Sequence, residues 1–357
     1  MDKFKAPVEC QTSLSLPKNS VRIERYVSPE TQSEDAPEYV ENTLRPRTFE
    51  DYPGQDAVKE NLRTYVSAAL ARRRCLDHVI LHGPPGLGKT TLAHIIAREL
   101  NVPFHPTSGP AIDKPGDLAG ILAGLENNSL LFIDEIHRIN IQVEEVLYSA
   151  MEDFCMDIVI GQGPTARTVR MPVQPFTLVG ATTRLSSLSR PFLSRFGIQE
   201  KLDYYDEASL RHILQRSAKV LGMKISEDGA FELARRSRGT PRIANRLLRR
   251  VWDFAQVGGK IFIDQQIVGY ALQRLEIDAH GLDRTDREIL RAIEEKYGGG
   301  PVGIETLAAT LGEEKATIEE VYEPYLVHRG FIKRGPRGRS LTSFGRSHIG
   351  EGTALAP

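Results

Sequence analysis

The stretch from His78 to Leu92, HVILHGPPGLGKTTL, constrains this chain more than any other. Its apolar start reads as a buried strand, its middle as a glycine-rich turn and its end as the opening of a helix. Gly83-Pro84-Pro85-Gly86-Leu87-Gly88-Lys89-Thr90 satisfies G-x-x-x-x-G-K-[ST] at every position. The spacing has a chemical reason. Glycines let backbone N–H groups turn inward around phosphate oxygens. Lys89 brings a mobile cation to the β- and γ-phosphates, and the Thr90 hydroxyl is placed to ligate Mg²⁺. The helix that begins near Lys89 aims its positive end at the same anion. A chance glycine turn would lack the flanking strand and helix.

A chain of 357 residues predicts two or three domains. With 40% hydrophobic residues it has ample core material. Its net charge of −1 means that any nucleic-acid surface must come from local segregation of charge. Cys10, Cys75 and Cys155 are scattered, and none sits in a metal-ligand spacing. That usage fits a reducing, cytoplasmic compartment, with spectator thiols favoured over redox sensors. No apolar run approaches the ~18 residues a membrane span needs, and the N-terminus has no signal-peptide core, so no membrane is expected.

Residues 1–40 mix Ser, Thr, Pro, Glu and Lys without a sustained period, and read as a disordered tail. Residues 44–55 are turn-rich and lead into a helix over 56–74, with Val58, Leu62, Tyr65, Val66, Ala69 and Leu70 giving one apolar face. Arg72-Arg73-Arg74 reads as a solvated helix end rather than a DNA contact. A helix to about 100, a strand over 102–106 and a helix over 116–124 follow.

The apolar run 129–133 ends in Asp134-Glu135. A buried parallel strand thus delivers two carboxylates at its C-terminal end, where open α/β sheets bind ligands. Asp134 is placed to hold Mg²⁺ and Glu135 to polarise the attacking water. His137 either orients Glu135 or caps the next helix. Residues 157–170 read as a β-hairpin with Ile158 and Ile160 on one face, a docking site if the hairpin projects and core if it packs inward. The strand 176–181 ends in Thr182-Thr183-Arg184, where either threonine can sense the γ-phosphate. Arg195, before an aromatic-glycine turn, sits at a loop edge. It can serve as an arginine finger for a neighbouring subunit or form a surface salt bridge.

Residues 206–275 are helical in pattern. Thr240 reads as an N-cap and Pro241 as the first helical residue, which puts Arg242 in a first turn able to swing onto a nucleotide. Residues 283–346 predict helices over 285–297, 303–311 and 315–329 and then a two-stranded wing over 330–342, a winged helix. Between positions 329 and 349 stand Arg329, Lys333, Arg334, Arg337, Arg339 and Arg346 with no acidic residue. In a neutral chain this is the segregated basic patch of a phosphate-backbone reader.

Taken together, GPPGLGKTTLA, LLFIDEIHRI, EEVLYSAMEDF, TLVGATTR, SRFGI, RGTPRIANRLLRRV, GGPVG, EPYLVHRGFI and RGPRGR resemble the RuvB family, the ATP-driven motors of Holliday-junction branch migration in bacteria. The resemblance runs from about 44 to 342. It implies an α/β P-loop AAA+ domain with a parallel sheet between helices (41–203), an α-helical lid (204–278) and a C-terminal winged helix (279–346), with a flexible end at 347–357. It implies ATP and Mg²⁺, a homo-hexameric ring around duplex DNA, and roles in recombination, repair and the SOS response. It also implies a junction-binding RuvA-type partner docking at Ile158 and Ile160, and admits a junction resolvase.

Carried over by position, Leu44, Arg45, Gly86, Gly88, Lys89, Thr90, Thr91, Glu152, Asp153, Phe154 and Tyr205 line one nucleotide pocket. Thr90 binds Mg²⁺, Asp134 and Glu135 act with Thr183, Arg195 is the finger and Arg242 the lid sensor. Arg334 and Arg339 touch DNA. The chain departs from the family at Leu193, where a second arginine is expected, at Pro53, and in its longer tail. A protein-remodelling ATPase and a nucleotide-gated DNA-binding regulator are the competing readings. The basic wing argues against the first, and Glu135 with Arg195 against the second.

Overall fold

A five-stranded parallel sheet carries the ATPase part of the chain, in a computed structural model that describes residues 43–160 and 167–351. The tail, the hairpin turn Gly161-Gln162-Gly163-Pro164, the side chains of Ile158 and Ile160, and residues 352–357 lie outside the described residues. In chain order the first elements are α1 (Asp56–Arg72), β1 (Val79–His82), α2 (Lys89–Leu100), β2 (Phe104–Ser108), α3 (Pro115–Ala123), β3 (Leu130–Asp134) and α4 (Ile141–Asp153). Then come β4 (Cys155–Ile160), β5 (Arg167–Pro172), β6 (Thr177–Thr182), the short α5 (Arg190–Leu193) and β7 (Ile198–Lys201).

The strand order β2-β3-β6-β1-β7 puts β1 near the middle, flanked by β6 and β7. Val79, Ile80 and Leu81 are fully buried, as are Leu130 to Ile133, because helices cover both faces of a parallel sheet. This order brings the C-terminal ends of β3, β6 and β1 side by side. The phosphate loop, Asp134 and Thr182 therefore share one edge.

His78, just before β1, ties the opposite edge together. The Leu178 N–H donates to its Nδ1 at 2.9 Å, so the ring proton lies on Nε2, which faces the Met151 carbonyl at 3.1 Å. Burial pushes the imidazole pKa down and keeps the ring neutral. The bond holds the end of α4 at the N-terminal edge of the sheet. At ~3.3 Å per residue, this edge stands roughly 15 Å from the phosphate loop.

The lid comprises α6 (Glu207–Val220), α7 (Glu227–Arg236), α8 (Pro241–Val257) and α9 (Gln265–Arg274). Its apolar face is continuous with the core on one side of the sheet through Tyr52, Leu87 and Tyr205. The winged helix has a separate core built on Ile289, Leu290, Ile293, Leu307, Leu326 and Phe331. It is made of α10 (Arg284–Tyr297), α11 (Ile304–Leu311), α12 (Lys315–Thr317), α13 (Glu323–His328), β8 (Ile332–Gly335), β9 (Gly338–Leu341) and α14 (Ser343–Glu351).

Two expectations change here. The helix expected over 315–329 is broken by a π-turn at Ile318–Tyr322. Pro324 has no N–H for the Glu320 carbonyl and its ring crowds that carbonyl, so the backbone widens one turn earlier. The last helix also runs to Glu351, past the flexible end expected from 347. Its His348 Nε2 lies 2.9 Å from the Asp278 carboxylate, which fastens the helix to the end of the lid.

Candidate active site

The phosphate loop is shaped by its neighbours. Gly86 and Gly88 have φ of 77° and 95°, in the left-handed region that favours glycine. A Cβ on Gly88 would lie 2.6 Å from the Tyr52 hydroxyl, and one on Gly86 would lie 2.8 Å from Thr240 Cγ2 and 3.0 Å from Arg242 Cβ. The second contact places the first turn of lid helix α8 directly on the loop. The Arg242 N–H donates to the Gly86 carbonyl at 3.4 Å. Thr240 takes the N-cap position, but its hydroxyl donates to the Arg238 carbonyl instead of capping.

Lys89 is buried, and its Nζ donates to the carbonyls of Gly83 and Pro84, both at 2.8 Å. Burial pushes its pKa down to about 8, Asp134 pulls it up and Arg242 pushes it down. The cation thus rests on neutral carbonyls at the mouth of the anion cradle. Behind the loop, Tyr52 donates to the Leu87 carbonyl at 3.1 Å, and the Tyr205 hydroxyl donates to Tyr52 at 2.7 Å. Burial raises the pKa of both phenols, so both remain donors. Tyr205 therefore braces the loop. Tyr52, which sequence reading did not single out, does the same.

Leu44 and Arg45 are fixed by a second unforeseen residue. Arg216 of α6 donates to the Leu44 carbonyl at 2.6 Å and the Arg45 carbonyl at 3.4 Å. An arginine on a solvated helix carries no local signal for such a reach. The lid thereby grips the segment that leads into the ATPase domain.

The Thr90 hydroxyl donates to Asp134 at 3.3 Å. A hydroxyl beside a carboxylate is the donor set that takes Mg²⁺ together with substrate phosphates and water. Among the described residues no group of three or more His, Cys, Asp and Glu forms a closed metal cage. Glu135 sits at φ 48°, in the left-handed region, and its carboxylate pairs with Arg138 at 2.9 Å. His137 neither caps a helix nor bonds to Glu135. Its Nδ1 meets the Thr182 hydroxyl at 3.1 Å, while Asn140 caps α4. Thr182 is buried and also accepts the Arg184 N–H at 2.9 Å. Thr183 is the exposed one of the pair.

Glu152, Asp153 and Phe154, expected to line the same pocket as Tyr205, lie together at the N-terminal edge of the sheet within one chain. Phe154 packs edge-on against Phe176, which itself lies against His78 at the N-terminal edge. Asp153 pairs with Arg170 at 2.7 Å. Glu152 pairs with Arg195 at 3.0 Å. Arg195 also lies over the Tyr148 ring at 4.6 Å and donates to the Pro191 carbonyl at 2.7 Å. The finger candidate and this trio form one group, on the far side of the sheet from their own phosphate loop.

On the wing, the register pairs Arg334 with Arg339, so both point to the same face. Their fates differ. The Arg334 side chain is 64% exposed and only 3.7 and 3.9 Å from Glu319 and Glu323. Arg339 is 7% exposed and bonds Glu323 through Nε at 3.1 Å and Nη2 at 2.7 Å, and Glu319 at 3.1 Å. The Arg339 guanidinium, expected to touch DNA, is held here by two carboxylates, which a DNA phosphate would have to displace. Lys333 and Arg337 are exposed with Arg334.

The hairpin β4–β5 pairs Ile158 with Val169 and Ile160 with Arg167. Val169, opposite Ile158 in this register, is 41% exposed.

Comparison with known proteins agrees along the whole described chain. Residues 44–202 match the model of the Holliday junction DNA helicase RuvB P-loop domain, 205–278 the RuvB AAA lid domain and 279–350 the RuvB C-terminal winged helix domain. The chain is 57% identical over 326 residues to the Holliday junction branch migration complex subunit RuvB of Paramagnetospirillum magneticum, covering 91% of this chain and 93% of that protein. It is 56% identical over 327 residues to its counterpart in Pediococcus pentosaceus, covering 92% and 97%. The solved Thermotoga maritima RuvB branch migration motor superposes with a TM-score of 0.79 at 49% identity, over 88% of this chain and 100% of that one. On these matches and on the three domains seen in the structure, the chain belongs to the RuvB family.

Proposed function

We propose that this chain is the ATP-hydrolysing subunit of a ring that drives duplex DNA through Holliday junctions with a junction-binding partner. The observation that carries this reading is the division of the site between the two edges of the sheet. Lys89, Thr90, Asp134 and Arg242 stand at one edge, while Arg195 and Glu152 stand at the other. One chain cannot complete its own site across roughly 15 Å of sheet. Two neighbouring chains in a closed ring can, with the N-terminal edge of one facing the nucleotide of the next. Six subunits are the stoichiometry we propose.

Lys89 leaves its loop carbonyls for the β- and γ-phosphates. Magnesium, held through Thr90 and Asp134, would neutralise charge on the same phosphates. Glu135 exchanges Arg138 for the attacking water, and Thr183 reads the γ-phosphate. The neighbour's Arg195 stabilises charge in the transition state, a contribution of ~10³ to 10⁵ in rate where such fingers operate. Arg242 transmits hydrolysis to the lid, since the turn that carries it already rests on the loop. Arg334, Lys333 and Arg337 hold the DNA backbone. The exposed face of the β4–β5 hairpin receives the RuvA-type partner.

Complementation tests the division. Lys89→Ala and Arg195→Ala chains, each inactive alone, should recover ATP turnover and junction dissociation when mixed. An interface between the two carries an intact phosphate loop from one chain and an intact finger from the other. Mixtures as inactive as the separate variants would refute the shared site.

A further inference from the structure

The C-terminal end of β6 and the DNA wing are joined by charge. The Arg184 backbone is fixed next to the sensor Thr183, because its N–H donates to Thr182, whose hydroxyl bonds His137. Its side chain leaves the ATPase domain and meets Glu320 at 2.6 Å and Glu319 at 4.0 Å. Both glutamates lie in the π-turn that Pro324 imposes on the winged helix. Glu319 also contacts Arg339 at 3.1 Å and Arg334 at 3.7 Å, and Glu323 contacts the same two arginines. Three carboxylates thus serve three arginines. Arg184 belongs to the ATPase, Arg339 to the wing core and Arg334 to the exposed wing.

We infer that the Arg184–Glu320 pair is a latch through which DNA on the wing and nucleotide at the sensor strand report on each other. The inference rests on the motor reading above. Glu319 is within reach of all three arginines, so their claims on it compete. A DNA phosphate that takes Arg334 withdraws a cation from Glu319 and Glu323. Their charge is then left to Arg339 and Arg184, and the winged helix is held more firmly against the end of β6. The reverse also holds, because linkage is reciprocal. A γ-phosphate that orders Thr183 and Arg184 at the end of β6 strengthens the pairing of Arg184 with the acidic turn, and Arg334 is then given up to DNA more readily. The Tyr204 ring, which lies tilted against His328 with centroids 4.3 Å apart, keeps the winged helix and the ATPase part aligned while the charges rearrange. Arg184 and Glu320 are positioning residues, since neither is placed to touch nucleotide or DNA.

The test compares ATP turnover with and without saturating duplex DNA in the full chain, for wild type, Glu320→Gln, Arg184→Glu, Glu320→Arg and the double charge swap. DNA-free turnover of Glu320→Gln should equal that of the wild type, while its DNA-driven rise falls about fivefold, the scale of a typical coupling between sites. The tightening of duplex binding by a non-hydrolysable ATP analogue should fall as well, and by reciprocity the tightening of analogue binding by duplex DNA should fall by that same factor. The double swap should regain the response that each single reversal loses, which a merely structural contact would not restore. The latch is wrong if Glu320→Gln keeps the full DNA-driven rise, or if the swap stays as unresponsive as the single reversals. A wild-type chain whose turnover ignores DNA would instead overturn the motor reading, and the latch with it.

Discussion

The phosphate loop and the wing both collect cations for phosphate, yet they hold them differently. Lys89 rests on two neutral carbonyls, at 2.8 Å each. Arg339 is held by two carboxylates, one of them through two bonds. A phosphate can take Lys89 by replacing weak partners with a stronger one. To take Arg339 it would have to strip Glu323, 4% exposed, of its hydrogen-bonded partner and leave it only Arg334 at 3.9 Å. The loop is therefore poised to release its cation, and the inner wing is built to keep one. The exposed Arg334 is the wing counterpart of Lys89.

The largest effect expected from this contrast is on folding. Arg339→Ala should destabilise the winged helix by about 3–5 kcal/mol, the cost of stranding a buried ionic partner. Thermal denaturation should show it as an early transition, with nucleotide affinity of the ATPase part intact. Melting like the wild type would mean that Glu323 finds water, and that Arg339 is available to DNA after all.

A smaller effect concerns Lys89. With a pKa of about 8, its ammonium is charged at pH 7 and largely neutral at pH 9. Binding phosphates at high pH must take up a proton, so affinity should fall as pH rises through 8. The loss should be about tenfold between pH 7 and pH 9. Calorimetric titration with ADP at the two values measures it, and an affinity independent of pH would show that burial does not set the state of the lysine. The smallest effect is Arg334→Ala. Stability should stay within about 0.5 kcal/mol. Duplex binding should weaken evenly across sequences, with the salt slope reduced by about one. An unchanged slope would remove Arg334 from the DNA surface and leave Lys333 and Arg337.

These regions also differ in how far they could be read in advance. The loop was legible because its parts are contiguous. One run of residues contains the strand, the glycines, the lysine and the helix start, and backbone geometry alone makes them converge. Asp134 was legible for a similar reason, since an apolar run ending in a carboxylate specifies a buried strand and its outlet. The wing was legible as a fold, from its helix periods and the Gly-Pro-Arg-Gly turn. It was not legible as a division of labour, because Arg334 and Arg339 look alike along the chain. Only the partner across the turn, Glu323, separates them.

Local pattern therefore determined the order of elements, the phosphate loop, the acidic strand end and the basic wing. Tertiary packing decided the rest. Strand order β2-β3-β6-β1-β7 brought the loop, Asp134 and Thr182 to one edge, and sent Glu152 to Phe154 with Arg195 to the other. The placing of Glu319 and Glu323 beside the wing decided which arginine is buried. The physical reason is the range of the forces involved. Helix periods, glycine turns and caps act within a few residues, so the chain states them directly. The partner of a charge is set by which distant elements meet, and only the folded molecule brings Arg195 to Glu152 and Arg339 to Glu323.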